Sequence, residues 1–345
     1  MKKINKPIIL IDPFPRSLNL IFSKKNLSIL KKNFTLIDSP KNKIQKNNFY
    51  KKNIEKAIFI IGQPNLSKSL LVKAKNLKAI FNVESNFIDN MDYDYCFKND
   101  IHVLSTSPVF AQPVAEMALG LTLSIARSIH IAHNDFVKSK EKYGGEISGK
   151  NFLLKNKNFG IIGFGDLANS LLPLIKPFAN NILAYDPWVP SFMLKKKNVL
   201  SVNLKDLLKN SDIIYILASI TSSNVGMIDS AKLKLLKSGA AFILMSRAAI
   251  VNFKDLYKFL KKKKNFAAID VFPVEPFPKN DPFRKLDNVI FSPHRAGALD
   301  IVFKEMGEIV LQDIYLMMKN LPPKLCKRAE RETVKNLRSK PVDIN

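Results

Sequence analysis

The sequence predicts an α/β protein with two domains, each built on an open sheet of mainly parallel strands. With 345 residues, the chain is too long for one ordinary hydrophobic core. Over its first part, short runs rich in Ile, Leu, Val and Phe alternate with lysine-rich segments of helical spacing, as in buried parallel strands joined by helices. The alternation begins again at residue 158 and continues to residue 293, which indicates a second domain of the same class.

The composition is that of a soluble globular protein, with 46% apolar and 24% charged residues. The longest apolar stretch, residues 114–126, carries Glu116 and is shorter than the roughly 20 residues of a membrane-spanning helix. Cys96 and Cys326 supply neither a disulfide framework nor a metal site. We therefore expect a cytoplasmic protein without a metal and without a membrane partner.

The net charge of +26 raises the question of nucleic-acid binding. The lysines are spread along the whole chain, and the one dense run, residues 261–264, lies where a helix is expected to end and where cations are favourable. We interpret the charge as a solvated surface and expect no nucleic-acid partner. Charge-driven nucleic-acid binding is kept as the third functional hypothesis.

In the first domain, five runs are predicted to be strands: residues 6–12, 34–38, 57–62, 78–83 and 101–106. Helical segments, such as residues 67–75, separate them, and this alternation is typical of a flavodoxin-like sheet. A long helix is predicted from Val114 to about Ser139, and it is apolar on nearly all sides at its start. A last helix is predicted over residues 300–319, ended by two prolines.

Residues 158–168 (NFGIIGFGDLA) read as a strand, a glycine turn and the start of a helix. Gly163 and Gly165 permit a tight turn and the close approach of a pyrophosphate to the helix N-terminus, and Ala168 takes the third position of the motif. The next strand ends at Asp186, where a carboxylate accepts hydrogen bonds from an adenosine ribose. Because no Arg or Lys follows Asp186 immediately, the pattern favours NAD over NADP. Pro173 lies inside the expected helix, where it predicts a kink, and Pro177 is expected to end that helix.

Four further strands are predicted at residues 212–219, 240–245, 266–272 and 288–292. Arg247, Glu275 and His294 follow the last three of these strands. Ligands of open parallel sheets bind beyond the carboxyl ends of the strands, so we expect these side chains to converge beside a nicotinamide.

The three residue types suit the reduction of a 2-keto acid. His294 can deliver a proton to the carbonyl oxygen near neutral pH. Glu275 can fix the imidazole tautomer and favour the imidazolium. Arg247 can hold the substrate carboxylate with its planar fork. The sequence therefore predicts transfer of a hydride to or from C2 of a small 2-hydroxy acid.

In order along the chain, GIIGFGDLA, YDPW, SDIIYILASITSSNVGMID, GAAFILMSRAAIV, AAIDVFPVEP and FSPHRAG resemble motifs of the D-isomer-specific 2-hydroxyacid dehydrogenase family. The resemblance covers nearly the whole chain and implies that Arg247, Glu275 and His294 are catalytic and that Asp270 contacts the nicotinamide end. It implies an NAD site formed by Gly163, Gly165, Asp166, Leu167, Asp186, Ser219, Thr221, Ser246, Arg247, Asp270, His294, Ala296 and Gly297. It implies substrate contacts from Val83, Glu84 and Ser85, together with Arg247 and His294.

Three departures from the family pattern concern Ala248, Ala168 and the substrate loop, residues 82–87. Ala248 replaces the glycine that usually follows the catalytic arginine, and Ala168 replaces the last glycine of the cofactor motif. The substrate loop is usually glycine-rich, but here it has no glycine and carries Glu84. That carboxylate could repel an anionic substrate or bind a hydroxyl or amine, so the substrate is left open.

By the family's pattern, the flavodoxin-like substrate domain is discontinuous and comprises residues 1–112 and 299–345, the latter supplying a returning helix and the C-terminal tail. Residues 113–298 are expected to form a Rossmann dinucleotide-binding domain that opens with the long linking helix. Members are usually dimers with their cofactor domains in contact, so we expect a homodimer. The alternative function is a non-catalytic NAD(H)-sensing protein on the same scaffold, as the family's transcriptional co-repressors are.

Overall fold

The computed structural model describes residues 6–84, 86–144 and 151–337. The chain divides into two compact units. We call Met1–Val109 with Leu299–Asn345 the terminal unit and Phe110–Ala298 the central unit.

The elements of both units are numbered together along the chain. The strands are β1 (Ile8–Asp12), β2 (Thr35–Asp38), β3 (Ala57–Gly62), β4 (Ala79–Asn82), β5 (His102–Ser105), β6 (Lys157–Ile162), β7 (Ala179–Tyr185), β8 (Leu200–Ser201), β9 (Ile213–Ile216), β10 (Ala241–Leu244), β11 (Phe266–Ile269), β12 (Val289–Phe291) and β13 (Lys327–Arg328). The helices are α1 (Leu18–Ile21), α2 (Lys24–Asn33), α3 (Lys43–Asn53), α4 (Lys68–Leu71), α5 (Tyr93–Lys98), α6 (Ala111–Ala126), α7 (Ile129–Val137), α8 (Asp166–Ile175), α9 (Ser191–Lys195), α10 (Leu204–Asn210), α11 (Ser230–Leu233), α12 (Phe253–Leu260) and α13 (Asp300–Met318).

The sheet of the terminal unit has the strand order β13-β5-β4-β3-β1-β2. Strands β1 to β5 pair in parallel, and each lies inside the corresponding predicted run. This is the predicted flavodoxin-like order, with its switch point between β1 and β3. The short strand β13 was not predicted, and it pairs antiparallel with β5 at the sheet edge. The predicted helix over residues 67–75 is shorter than expected, since α4 ends at Leu71.

The returning helix α13 packs against α1 within the terminal unit. A Cβ built on Gly307 would lie 2.3 Å from the carbonyl oxygen of Ile21, so only glycine permits this approach. Lys304 Nζ donates to the carbonyl oxygens of Asn19 and Leu20 at 2.5 and 2.9 Å. A cation at a helix C-terminus satisfies carbonyls that have no partner within the helix.

Gly62, at the end of β3, lies where the backbone conformation and the space require glycine. Its φ of +142° is unfavourable for side chains, and a Cβ would lie 2.0 Å from the carbonyl oxygen of Asp12. We expect Gly62→Ala to lower the free energy of unfolding by about 2 to 4 kcal/mol. Gly120→Ala in α6 is the matched control, because none of the described residues outside that stretch of the helix lies within 4 Å of its added Cβ. Denaturant unfolding of both variants checks the prediction, and equal midpoints would contradict it.

The sheet of the central unit is entirely parallel, in the order β12-β11-β10-β9-β6-β7-β8. The first strand of this sheet is β6, at its centre. Strands β7 and β8 follow it toward one edge, and strands β9 to β12 follow toward the other edge. This doubly wound order confirms the predicted Rossmann domain, and its switch point lies between β6 and β9. Helices cover both faces, and two hydrophobic clusters fill the space between helices and sheet.

The prediction of a single long helix from Val114 to about Ser139 is wrong. The structure contains two helices, α6 and α7, separated at Ser128, whose φ is +50°. The backbone N–H of Phe152 donates to the carbonyl oxygen of Ala126 at 2.9 Å. Because that carbonyl accepts from a residue outside the helix, the helical hydrogen-bond pattern stops there.

Residues Ser107–Ala126 are long and apolar enough to cross a membrane by length and composition alone. Helix α6, however, belongs to the core of the central unit, where Ala115, Ala118 and Ile125 are buried in one of the two clusters. Thr122 is also buried, and its hydroxyl lies 2.8 Å from that of Tyr215 on β9. The apolar character of α6 is therefore accounted for by packing.

Candidate active site

The glycine turn after β6 leaves space in front of the N-terminus of α8. Gly163 has φ +87°, and a Cβ there would lie 2.3 Å from Cα of Ala218. Gly165 is the N-cap of α8, and no residue that the structure describes lies within 4 Å of a Cβ built on it. Asp166 and Leu167 form the first turn of that helix. A helix N-terminus with open space before it fits the pyrophosphate of a dinucleotide.

The third glycine position of the motif holds Ala168, whose methyl group is accommodated in the core. Ala168 is completely buried and packs in a core cluster. Helix α8 continues through Pro173 to Ile175, and Pro177 lies in the 3-10 turn that follows. Pro177 therefore ends the helix as predicted, while Pro173 lies inside it; the structure offers no functional reason for Pro173.

Asp186 directly follows β7 and is joined to the glycine turn. Its Oδ2 accepts from the backbone N–H of Phe164 at 2.7 Å, and its Oδ1 accepts from the backbone N–H of Trp188 at 2.8 Å. Each carboxylate oxygen can accept a second hydrogen bond. Trp188 is the single tryptophan of the chain and is 48% exposed.

The loops after β9 and β10 place hydroxyl groups at the same sheet edge. Thr221 is buried, and its N–H donates to the Asn224 side chain at 2.8 Å, while the carbonyl of Ser219 accepts from that side chain at 2.8 Å. Ser246 is 4% exposed, and its Oγ has no hydrogen-bond partner among the residues that the structure describes. A buried hydroxyl without a described partner at the carboxyl edge of the sheet fits a polar ligand group.

Asp270, at the end of β11, holds the turn that carries His294. Its Oδ1 accepts from the Ser292 hydroxyl at 2.5 Å and from the Arg295 N–H at 2.9 Å, and its Oδ2 accepts from the Ala296 N–H at 3.2 Å. Burial raises the pKa of Asp270, although these hydrogen bonds and the charge of His294 oppose the shift. The contact of Asp270 with a nicotinamide stays a prediction.

His294 adopts φ +52°, a left-handed conformation that costs a non-glycine residue about 1 kcal/mol or more. Its N–H donates to the carbonyl oxygen of Asp270 at 2.8 Å, which fixes the turn. The next residues are packed: Ala296 is buried, and a Cβ on Gly297 would lie 2.5 Å from the ring of Phe110. The backbone of this turn is therefore determined by its surroundings.

His294 and Glu275 form a pair. Nδ1 of His294 lies 2.7 Å from Oε2 of Glu275, and Oε1 of Glu275 accepts from the N–H of Phe272 at 2.9 Å. Burial opposes ionisation of Glu275, but the hydrogen bonds from His294 and Phe272 and the charges of His294 and Arg247 outweigh it and lower its pKa. The side chains of His294 and Glu275 are 39% and 32% exposed, so both are accessible to a ligand.

Arg247 lies at the end of the loop after β10. Its Nη1 donates to the carbonyl oxygen of Ser246 at 2.6 Å. Its charge is the smallest of the contributions that lower the pKa of Glu275. Ala248 is buried in the second core cluster, so its methyl group is accommodated where the family has glycine. The three predicted catalytic residues thus lie at one edge of the central sheet.

In the terminal unit, Val83 and Glu84 are buried after β4, while Ser85 lies outside the described residues. Oε1 of Glu84 lies 3.1 Å from Nε of Arg16, so its charge is balanced. Arg16 was not predicted, because nothing in its local sequence, Pro15-Arg16-Ser17, indicates a partner 68 residues away.

Comparisons with known proteins identify the family to which this chain belongs. Residues 119–296 match the family model described as D-isomer specific 2-hydroxyacid dehydrogenase, NAD binding domain. The chain is 31% identical over 276 residues to the glyoxylate reductase of Thermococcus litoralis. The aligned region covers 78% of this chain and 82% of that protein. It is 30% identical over 259 residues to the D-3-phosphoglycerate dehydrogenase of Methanocaldococcus jannaschii, covering 74% of this chain and 48% of that protein. The chain therefore spans about half the length of that relative.

A solved structure shares both fold and sequence with this chain. The crystal structure of a phosphoglycerate oxidoreductase from Rhizobium etli superposes with a TM-score of 0.85 at 41% identity, covering 95% of this chain and 100% of that one. The family match lies on the central unit, where the glycine turn and the His294–Glu275 pair are found. The chain belongs to the D-isomer-specific 2-hydroxyacid dehydrogenase family.

Proposed function

We propose that this protein transfers a hydride between NAD(H) and C2 of a small D-2-hydroxy acid or 2-keto acid. The observation that carries the proposal is the 2.7 Å contact between Nδ1 of His294 and Oε2 of Glu275, at the sheet edge where Arg247 follows the neighbouring strand β10. A proton donor, its carboxylate partner and a carboxylate-binding guanidinium are the groups that reduction of a 2-keto acid needs. In this proposal, residues 113–298 bind the cofactor, and residues 1–112 and 299–345 form the substrate domain.

The proton is handled by His294. Because Nδ1 faces the Glu275 carboxylate, that nitrogen carries a hydrogen, and Nε2 is left to exchange the catalytic proton. Glu275 keeps its negative charge through its lowered pKa and stabilises the imidazolium before the proton leaves. In the reduction, Nε2–H donates its proton to the carbonyl oxygen of the substrate, and in the oxidation Nε2 accepts the hydroxyl proton.

Arg247 orients the substrate. A guanidinium grips a carboxylate through two parallel hydrogen bonds, which fixes the carbonyl beside His294. Its positive charge also stabilises negative charge that develops on the carbonyl oxygen. When bound, the nicotinamide supplies or accepts the hydride. Gly163, Gly165 and the first turn of α8 would hold its pyrophosphate, and Asp186 would hold the adenosine ribose.

We further propose a cytoplasmic homodimer that uses α7. In the single chain this helix buries none of its residues, and Ile129, Phe136 and Val137 are 54%, 64% and 70% exposed. Exposed apolar side chains of this size favour a protein interface. Both thiols, Cys96 and Cys326, are unpaired and buried, which suits a reducing compartment.

The test is oxidation of NADH in the presence of glyoxylate, hydroxypyruvate, pyruvate and bulkier 2-keto acids. We expect turnover with at least one small member of the panel. Binding of NADH without oxidation across the whole panel would refute catalysis and favour the sensing function. The binding itself can be followed by quenching of the Trp188 emission, because this single tryptophan lies two residues from Asp186.

The preference for NADH is expected to depend on Asp186. A carboxylate repels the 2′-phosphate of NADPH and accepts hydrogen bonds from the 2′-hydroxyl of NADH. We expect Asp186→Ala to lower the ratio of kcat/KM with NADH to kcat/KM with NADPH by about tenfold or more. Steady-state kinetics with both cofactors measures the ratio. A parent protein that prefers NADPH would show that the assignment of NAD is wrong.

A further inference from the structure

Glu275 lies in a long connection at the surface of the central unit. Strand β11 ends at Ile269, and the next helical turn, a 3-10 turn, begins only at Pro282. We call residues 272–281 the Glu275 loop. The neighbours of Glu275, namely Pro273, Val274 and Pro276, are all exposed. Packing in the core therefore does not fix this part of the chain, and the position of the Glu275 carboxylate depends on other anchors.

Arg284 anchors the Glu275 loop through its guanidinium. Nη2 donates to the carbonyl oxygen of Phe277 and Nε donates to that of Pro278, both at 2.8 Å. The central carbon of the guanidinium lies 5.4 Å from the centre of the Phe277 ring. A planar guanidinium can hold two carbonyls at once and also stack on an aromatic face. One side chain thus holds two successive residues of the loop.

The turn that carries Arg284 is itself fixed in the core. Phe283, the residue before Arg284, is 4% exposed and packs in one of the two hydrophobic clusters of the central unit. Its ring centre lies 5.4 Å from that of Tyr257 on α12. Oδ1 of Asp281 accepts from the N–H of Phe283 at 2.9 Å and so caps the turn. Arg284 therefore joins a firmly packed turn to a loop whose tip is exposed.

The contacts of Phe277 connect Arg284 with Glu275. The Phe277 ring centre lies 4.5 Å from that of Phe272 at the start of the loop. The N–H of Phe272 donates to Oε1 of Glu275 at 2.9 Å, and Oε2 of Glu275 lies 2.7 Å from Nδ1 of His294. A chain of contacts therefore leads from the guanidinium of Arg284 to the imidazole.

We propose that Arg284 is a positioning residue that holds Glu275 in place for its contact with His294. The inference rests on the proposed function and adds to it a residue that does not touch the reacting groups. Without the guanidinium, water would solvate the two carbonyls and the loop would lose its anchor. The imidazole would then be less well oriented by its carboxylate partner, which lowers the rate of proton transfer. The proposed cofactor contacts do not involve the Glu275 loop.

The kinetic experiment compares Arg284→Gln with Lys285→Gln. Lys285 is the matched control, because it is exposed in the same turn and its loss removes the same charge. We expect Arg284→Gln to lower kcat for 2-keto acid reduction about tenfold with an unchanged KM for NADH, while Lys285→Gln keeps the parent kcat. Arg284→Lys restores the charge without the planar fork, so it should recover only part of the loss.

A double variant tests whether Arg284 acts through Glu275. In a Glu275→Ala background, Arg284→Gln should lower kcat no further, because the group that it positions is already gone. A general structural role of Arg284 predicts instead that the two losses multiply. Multiplied losses in the double variant would overturn the inference.

The ¹⁵N resonances of the imidazole provide a measurement that needs no turnover. The chain has four histidines, so the signals of His294 can be assigned by comparison with His294→Ala. We expect the Nδ1 signal of His294 in Arg284→Gln to shift from its parent position toward that in Glu275→Ala, and Lys285→Gln to keep the parent signal.

Thermal unfolding identifies a variant that does not fold, and Arg284→Lys decides the question if Arg284→Gln is lost. A parent without turnover on any keto acid refutes the proposed function, and the Nδ1 signal still tests whether Arg284 positions Glu275. An Nδ1 signal in folded Arg284→Gln equal to that of the parent, or a kcat no lower than that of Lys285→Gln, overturns the inference.

Discussion

Replacing His294 by alanine is expected to slow 2-keto acid reduction by about 10²- to 10⁴-fold while the affinity for NADH changes little. In the proposed mechanism the imidazole moves the proton, and its pairing with Glu275 at 2.7 Å gives it a defined tautomer. The proposed pyrophosphate and ribose contacts of the cofactor are on the glycine turn and Asp186, which do not involve the lost side chain. The effect should therefore appear in kcat more than in cofactor binding, which Trp188 quenching measures separately.

His102→Ala is the matched control, because His102 lies on β5 of the terminal unit and is not among the predicted site residues. Glu275→Gln should show an intermediate loss, since it retains a hydrogen-bond partner for Nδ1 but not the charge that stabilises the imidazolium. Equal rates for His294→Ala and the parent would remove His294 from the mechanism. A loss in Glu275→Gln larger than that in His294→Ala would mean that Glu275 acts directly on the substrate.

Most strands of the two sheets could be predicted because they are largely buried on both faces and therefore read as continuous apolar runs. Strand β10 (Ala241–Leu244) and strand β3 (Ala57–Gly62) are examples, and both lie within the predicted ranges. Residues at strand ends could also be placed, because in a parallel sheet all carboxyl ends meet at one edge. That single rule is enough to bring Arg247, Glu275 and His294 to the same edge of the central sheet.

What could not be predicted depends on contacts between distant parts of the chain. The break after α6 is set by the N–H of Phe152, which takes the carbonyl oxygen of Ala126. The two-residue strand β13 forms because β5 offers it an open edge, and its own sequence, Lys327-Arg328, has no strand pattern. The Arg16–Glu84 pair likewise joins two loops that only the folded sheet brings together. Local patterns carry no information on such pairs.

The loss of Asp270 should have the second large effect, on both stability and catalysis. Its carboxylate accepts from the Ser292 hydroxyl and from the N–H groups of Arg295 and Ala296, and these contacts hold His294 at φ +52°. In Asp270→Ala these donors lose their acceptor, which should lower the free energy of unfolding by about 2 to 4 kcal/mol. The turn can then relax from its left-handed conformation, and a displacement of the imidazole by about 1 Å is enough to lower kcat/KM about 10²-fold.

Asp270→Asn separates the two roles of this residue. The amide keeps one acceptor oxygen and the shape of the side chain. It also avoids the cost of burying a carboxylate, and this burial is what raises the pKa of Asp270. We therefore expect the asparagine variant to be more stable than the alanine variant and to retain more activity. Asp287→Ala is the control, because its side chain is 60% exposed in a surface ion pair and should change stability by less than about 1 kcal/mol. Full activity in a folded Asp270→Ala protein would mean that the position of His294 is set by its own loop, and Asp270 would then have no positioning role.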